Sequence, residues 1–218
     1  MKKIMIFACF ICFTFALNAQ YFLPVKDAFS YVKDYTAIPY SFDKDCELRV
    51  SCYIQNPGNI MPDRLYQNFQ LTEYFLAREN PETAETLRLK FKLKNGYDLG
   101  LVDFGGVTDW MTYDLITVNK SSEILDALEA GILVGWVMPK QFRITADEKI
   151  IVTQFVTTER VSVKMVSFSK VTGYIIETVY HIDASGKFVE ESKKQCTGIR
   201  TFTREQLENP STNLWDLY

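Results

Sequence analysis

Apolar residues form a continuous run at the start of the chain. Further along they recur at the period of a helix, and later they alternate with polar residues. Ile4 to Leu17 form a continuous apolar run that follows two lysines and ends near Ala19. The run is shorter than the roughly 20 residues that cross a bilayer, and this arrangement is typical of a bacterial secretory signal peptide. We therefore expect residues 1–19 to be cleaved and the protein to be periplasmic or secreted. No cysteine lies at the cleavage site directly after the run, which argues against a lipid anchor.

Three segments with apolar residues at every third or fourth position predict helices. The first begins near Pro24 and has one apolar side that extends to Tyr35. The second spans 62–80, and the third spans 121–130, with Ser121 as its N-cap and Gly131 as its end. Because each is amphipathic, we expect these helices to pack on a sheet.

Alternating apolar and polar residues predict that sheet, beginning with a hairpin around Asn95 and Gly96. A three-residue loop at 94–96, with Gly96 left-handed, matches apolar residues across the two strands better than a two-residue loop does. The predicted register pairs Leu93 with Tyr97, Phe91 with Leu99, Leu89 with Leu101, and Lys92 with Asp98.

Further extended segments are predicted in the rest of the chain. A second three-residue loop at 184–186 places Asp183 opposite Lys187 and Ile182 opposite Phe188. Gly105 indicates a strand end or bulge. The other extended runs are 46–54, 110–118, 132–137, 142–145, 149–156, 161–168, 174–182 and 187–196.

Together these elements predict the α+β class, with one domain over residues 20–218. Helices from the N-terminal half would pack on one face of a largely antiparallel sheet that ends in a meander. The alternative is an all-β barrel or sandwich with peripheral helices. The C-terminal residues 213–218 are expected to dock onto this domain.

Composition limits the choice of partner. The formal net charge is −3 and becomes more negative when the lysine-bearing signal is removed. Nucleic acid and anionic lipid are bound through clustered Lys and Arg, so we expect binding to neither. The apolar run is too short to anchor the chain, so we expect no integral membrane insertion after cleavage. Cleavage leaves Cys46, Cys52 and Cys196. On one strand, Cys46 and Cys52 are too far apart to bridge, so a disulfide would have to include Cys196.

Catalytic motifs are scarce. His181 is the single histidine, which excludes sites built from several histidines, and we expect it to lie on the sheet surface. No nucleotide-binding or dinucleotide-binding motif is present, so we expect no cofactor and no resident metal. Two acidic groups keep alternatives open: calcium ligation at Asp43, Asp45 and Glu47, and glycosidic chemistry at Asp103, Asp109 and Asp114.

Candidate binding residues come from basic and aromatic positions. Arg88, Lys90 and Lys92 alternate along one strand and form a basic face that fits an anionic ligand, although lysines also protect exposed sheets. Trp110 and Trp136 are aromatic groups suited to stacking on sugar rings.

From these observations we expect an exported envelope or secreted protein that binds a glycan, small ligand or protein partner without catalysis. Two alternatives are a hydrolase that acts on envelope polysaccharide or peptidoglycan through carboxylates, and a structural accessory subunit of an envelope complex.

Overall fold

A long antiparallel sheet occupies most of the computed structural model. The structure describes residues 25–42, 52–54, 85–107, 110–134, 137–158, 168–208 and 213–218. The signal segment 1–19, the predicted helix at 62–80, the carboxylates at 43–47, Asp109 and Trp136 lie outside these ranges.

The described elements follow one another in the order of the chain. The helices are α1 (Val25–Tyr31), α2 (Arg204–Glu208) and a C-terminal 3₁₀ helix (Leu214–Leu217). The strands are β1 (Tyr40–Ser41), β2 (Cys52–Ile54), β3 (Glu85–Lys92), β4 (Asp98–Val107), β5 (Trp110–Val118), β6 (Ile124–Val134), β7 (Val137–Ile144), β8 (Ile150–Thr157), β9 (Lys170–Ile182), β10 (Phe188–Gln195) and β11 (Arg200–Thr203).

Strands β2 to β10 lie side by side in chain order, so the sheet is a meander in which each strand pairs with the next. Two strands lie off this path, because β1 pairs with β7 and β11 pairs with β9. From β3 to β8, and between β9 and β10, the connections are two to five residues long, which suits antiparallel hairpins.

The predicted α+β class is wrong. The described chain is mostly antiparallel sheet with two short α-helices, of seven and five residues, and it fits the all-β alternative. The main error is the helix predicted at 121–130, since residues 124–134 form β6. Its apolar residues also suit a strand, and hydrogen bonding to β5 on one side and β7 on the other selects the extended form.

Both predicted hairpin registers are confirmed. Phe91 pairs with Leu99 and Lys92 with Asp98, while Ile182 pairs with Phe188. The loop glycines Gly96 and Gly186 have positive φ angles of 89° and 83°, as a three-residue loop requires. The helix near Pro24 and the strand at 110–118 are also confirmed, and a bulge lies beside Gly105. The run predicted at 132–137 is two strands, since β6 ends at Val134 and β7 begins at Val137.

The sheet curls, which brings strands together that are not neighbours in the meander. The Lys94 backbone N–H donates to the Glu148 carboxylate at 3.0 and 3.2 Å, which joins the β3–β4 turn to the β7–β8 turn. The Tyr97 hydroxyl donates to the Ala184 carbonyl at 2.8 Å, which joins the β3–β4 turn to the β9–β10 turn.

Three apolar clusters hold the described elements together. The inner cluster lies within the curl and combines residues of β1 and β3 to β8, among them Tyr40, Phe91, Tyr113 and Phe142. A second cluster, on the outer face, lies under α1, and a third lies under α2 and the 3₁₀ helix. None of the helices in the described part of the chain has the length and apolar character that a membrane span requires.

Candidate ligand-binding surface

Helix α1 docks on the outer face of the sheet through one side. Ala28 and Phe29 are buried there, and Val32, just past the helix end, is buried with them. The ring of Phe29 lies where a side chain on Gly100 of β4 would be, because a Cβ atom at that position would be 2.6 Å from the ring. A glycine in β4 therefore lets the helix approach the sheet closely, and Tyr31 on another side of the helix is left 53% exposed.

The segment after α1 runs beside β3 and fixes the position of Tyr35. The backbone N–H of Thr36 donates to the Lys90 carbonyl at 2.7 Å. This bond places the Tyr35 ring over β3, with the Lys90 ammonium nitrogen 4.4 Å from the ring centroid. The ring is 46% exposed, so it covers the lysine and still faces solvent.

Lys90 is a buried cation with defined partners. It is 6% exposed, and its Nζ donates to the Phe29 carbonyl at 2.8 Å near the C-terminal end of α1. Carbonyls at a helix C-terminus are free to accept such a bond, and their partial negative charge stabilises an ammonium group. Lys90 thus ties helix α1 to strand β3.

Lys92 and Asp98 complete the arrangement beside the Tyr35 hydroxyl. The Lys92 Nζ lies 2.9 Å from Asp98 Oδ1, and the Tyr35 hydroxyl donates to the same oxygen at 3.2 Å. Burial and the neighbouring Asp98 raise the pKa of Tyr35, and the hydrogen bond to Asp98 raises the pKa of Lys92. Tyr35 therefore stays protonated and Lys92 stays charged near neutral pH. We call Tyr35, Lys92 and Asp98, with Lys90 beneath the Tyr35 ring and the exposed Tyr31 four residues earlier in the chain, the tyrosine–lysine surface.

The predicted binding residues do not all lie on this surface. Lys90 and Lys92 do, but Arg88 lies further along β3 and forms an ion pair with Asp103 at 2.7 Å. Trp110 begins β5 at the opposite end of the strands, about 26 Å along the sheet from the Lys92–Asp98 pair.

Two of the three predicted acids, Asp103 and Asp114, are separated by the sheet. Asp103 pairs with Tyr113, while Asp114, the next residue on β5, pairs with Val102. Consecutive strand residues point to opposite faces, so the Asp103 and Asp114 side chains lie on different sides of the sheet. Both carboxylates are buried, at 2% exposure each.

The surroundings of His181 and Cys196 indicate structural roles for both residues. The His181 side chain on β9 is 41% exposed, and its Nδ1 lies 3.2 Å from Glu191 of β10. Cys196 has a free thiol, with no disulfide partner among the described residues. The described ranges also contain no group of three or more His, Cys, Asp or Glu residues that could hold a metal ion.

A second group of polar and charged residues lies under the C-terminal residues 213–218. Gln141, Thr153, Glu177 and Lys194 are successive cross-strand partners on β7, β8, β9 and β10, and we call them the polar row. Glu177 is 4% exposed, and its carboxylate lies 2.9 Å from both Lys194 and Arg143.

The C-terminal residues cover this polar row, which confirms that the tail docks. The Leu214 N–H donates to Gln141 Oε1 at 3.0 Å, and the Tyr218 hydroxyl donates to Glu177 Oε2 at 2.5 Å. Because Gln141, Glu177 and Lys194 find partners within the protein, we assign the row to holding the tail rather than to binding a ligand.

Sequence reasoning missed the tyrosines of the candidate surface. The periodicity around α1 assigned Tyr35 to the buried side of a longer helix, but the helix ends at Tyr31 and the following chain turns along β3. The available signal was Tyr31, which lies outside the apolar repeat of Val25, Ala28 and Phe29.

The chain was also compared with known proteins. No protein-family model, no curated protein and no solved structure matches it. Function is therefore argued from the geometry and chemistry of the described residues.

Proposed function

We propose that this protein is an exported envelope or secreted protein that binds a glycan at the tyrosine–lysine surface without catalysing a reaction. The observation that carries the proposal is the Tyr35 ring, which is nearly half exposed and yet fixed at its backbone, its face and its hydroxyl. An aromatic ring that is already ordered loses little conformational entropy when a sugar ring stacks on it.

Polar groups at the edge of the ring support the same function. Sugar hydroxyls need hydrogen-bond partners as well as an apolar face, and Lys92 and Asp98 supply a donor and an acceptor beside Tyr35. Tyr31 lies four residues away in the chain, within about 14 Å at full extension, and gives a second exposed ring. The surface has the composition of a shallow sugar-binding site.

Binding without catalysis is favoured over hydrolysis by the position of Asp103 and Asp114, the two predicted acids that the structure describes. Glycoside hydrolysis uses two carboxylates that flank one bond, and Asp103 and Asp114 point to opposite sides of the sheet. At the candidate surface, Asp98 is the only described carboxylate that contacts Lys92 or Tyr35, so these contacts do not include the second carboxylate that hydrolysis needs.

The test is a binding screen of the purified protein on immobilised polysaccharides and peptidoglycan. We expect retention on at least one of them, and at least tenfold weaker binding for Tyr31→Ala and for Tyr35→Ala. The matched controls Tyr31→Phe and Tyr35→Phe keep the rings and should keep most of the affinity.

Three results would contradict the proposal. Unchanged binding in both alanine variants would place the glycan elsewhere. Release of sugar fragments from a bound polymer would favour the hydrolase. Absence of glycan binding, with a stable complex of several proteins recovered from cells, would favour the accessory subunit. Export is tested separately by mass spectrometry of the protein from cells, which should begin at Gln20.

A further inference from the structure

The Tyr35 ring lies close to positive charge, which the binding of a neutral sugar does not require. Two ammonium groups lie over it, with Lys90 Nζ at 4.4 Å and Lys92 Nζ at 5.8 Å from the centroid. The face of an aromatic ring has a negative electrostatic potential, and a cation over the ring partly cancels it. Stacking of a neutral sugar through its C–H groups is weakened by the same cations, whereas a nearby anion is attracted.

The positive charge of Lys90 cannot move away from the ring. Its ammonium is held by the Phe29 carbonyl at 2.8 Å and lies almost wholly out of solvent. Screening by salt is weak for a buried charge, so its field acts on whatever binds to the exposed side of Tyr35.

The two cations outnumber the carboxylate in contact with them. Asp98 accepts from both Lys92 and Tyr35, and no other described carboxylate contacts the Tyr35 ring or its two lysines. The side chain of Lys92 is 52% exposed, and an ammonium has three donors, of which Asp98 uses one. Lys92 therefore offers free donors to an incoming anion.

We propose that the tyrosine–lysine surface binds an acidic polysaccharide built of uronic acid units. A carboxylate of the sugar is bound by Lys92, and the pyranose ring stacks on the exposed side of Tyr35. This inference rests on the proposed glycan-binding function and adds the charge of the ligand. A uronate fits better than an anionic bilayer, because membrane binding of this kind needs several exposed cations and the chain as a whole is acidic.

The experiment compares two polymers that differ in one group, a carboxylate or its uncharged methyl ester. Polygalacturonate and its methyl ester share the same sugar ring and linkage, but esterification removes the carboxylate charge. Titration calorimetry of the purified protein should show at least tenfold tighter binding of polygalacturonate. Lys92→Gln should lower the affinity for polygalacturonate at least tenfold and the affinity for the ester much less, which removes most of that preference. Lys193→Gln, an exposed lysine on β10, is the matched control and should keep the preference.

Each other outcome is decisive. Equal binding of both polymers, or binding of neutral glycans alone, overturns the uronate inference and leaves the proposed function standing. Binding of no glycan at all overturns both. A preference that survives Lys92→Gln, or that Lys193→Gln removes equally, overturns the assignment to this surface. Binding to phosphatidylglycerol vesicles but not to polygalacturonate overturns the inference in favour of a lipid headgroup.

Discussion

Buried charges in this protein occur with specific partners, and Glu177 is the clearest case. Its carboxylate meets Arg143, Lys194 and the Tyr218 hydroxyl, each within 2.9 Å. A buried carboxylate without partners would cost several kcal/mol, so these contacts permit the burial and also hold the terminus in place.

Removing the charge of Glu177 should therefore destabilise the protein. We expect Glu177→Gln to lower the free energy of unfolding by about 1–3 kcal/mol, less than for a fully enclosed pair because Arg143 and Lys194 are 31% and 64% exposed. Urea denaturation measures the change. The control is Glu191→Gln, which removes an exposed contact with Lys149 and should cost less than about 1 kcal/mol. Equal losses in the two variants would contradict the assignment.

The stabilisation by Glu177 should also depend on pH. Burial raises its pKa, but hydrogen bonds from Tyr218 and Lys194 and the charges of Lys194 and Arg143 outweigh burial, so the pKa lies below its ordinary value of 4.5. A depressed pKa means that the stabilisation is complete above 4.5 and is lost as the pH falls through the lower folded-state value.

The measurement is the difference in unfolding free energy between the natural protein and Glu177→Gln. This difference should be constant between about pH 6 and 7 and should shrink below pH 4.5. A difference that grows on acidification would show that the folded-state pKa is raised instead.

The chemistry of single residues could be predicted from the sequence only in part. The alternation around Lys90 predicted a basic strand face, and Lys90 does lie on that strand. Its burial beneath Tyr35 depends on where α1 ends and how the next residues turn, and no local pattern around Lys90 records that path.

At the scale of elements, four hairpins share one turn design. In each, the fourth of five residues has a positive φ angle: 89° at Gly96, 66° at Ser122, 65° at Glu148 and 83° at Gly186. Where this residue is glycine, the hairpin could be predicted with its register. Where it is serine, the turn was missed and a helix was predicted instead. A serine in the sequence does not indicate a positive φ angle, whereas a glycine does.

A glycine at the strained serine should stabilise its turn. We expect Ser122→Gly to raise the free energy of unfolding by about 0.5–1 kcal/mol, since glycine adopts positive φ without the steric cost of a Cβ atom. Thermal and urea unfolding measure it. Ser121→Gly, one residue earlier and without a positive φ, is the control and should be neutral or destabilising. A loss of stability in Ser122→Gly would show that the serine side chain matters more than the strain.

The docking of α1 should depend on the missing side chain at Gly100. Gly100→Val would place atoms against Phe29, Leu87 and Ile116, and the new Cβ alone would lie 2.6 Å from the Phe29 ring. We expect a loss of about 1–3 kcal/mol in stability and at least a tenfold loss in glycan affinity, because the helix that carries Tyr31 is displaced.

A second glycine provides the control for this substitution. Gly198 has no atom within 4 Å of the Cβ position, so Gly198→Ala should change stability by less than about 0.5 kcal/mol and leave binding unchanged. Intact binding in Gly100→Val would mean that the surface does not depend on the close approach of α1 to the sheet.

At the scale of the whole molecule, hydrogen bonds between residues far apart in the chain hold the sheet in its curled form. The β3–β4 turn bonds to the β7–β8 turn, and the hydroxyl of Thr117 in β5 donates to the Gly186 carbonyl at 2.5 Å. The sequence predicted the meander through its hairpins, but its curl depends on contacts across 54 and 69 residues, which local patterns do not record.

The C-terminal tail is the last long-range contact, and its removal should be costly. In a chain that ends at residue 212, the third apolar cluster loses Leu214, which is 2% exposed, and the polar row loses two hydrogen bonds. Burial of a leucine contributes about 1.5–3 kcal/mol and each hydrogen bond about 1 kcal/mol, so we expect a loss of at least 3 kcal/mol.

Tyr218→Phe separates the hydrogen bond from the apolar contact in this tail. It removes only the hydroxyl that bonds to Glu177, so the expected loss in urea denaturation is about 1 kcal/mol. If truncation and Tyr218→Phe cost the same, Leu214 contributes nothing and the tail is held by its terminal residue alone. If truncation costs nothing, the tail is an accessory and the sheet is stable without it. The larger loss on truncation is expected because the tail covers apolar and polar groups together.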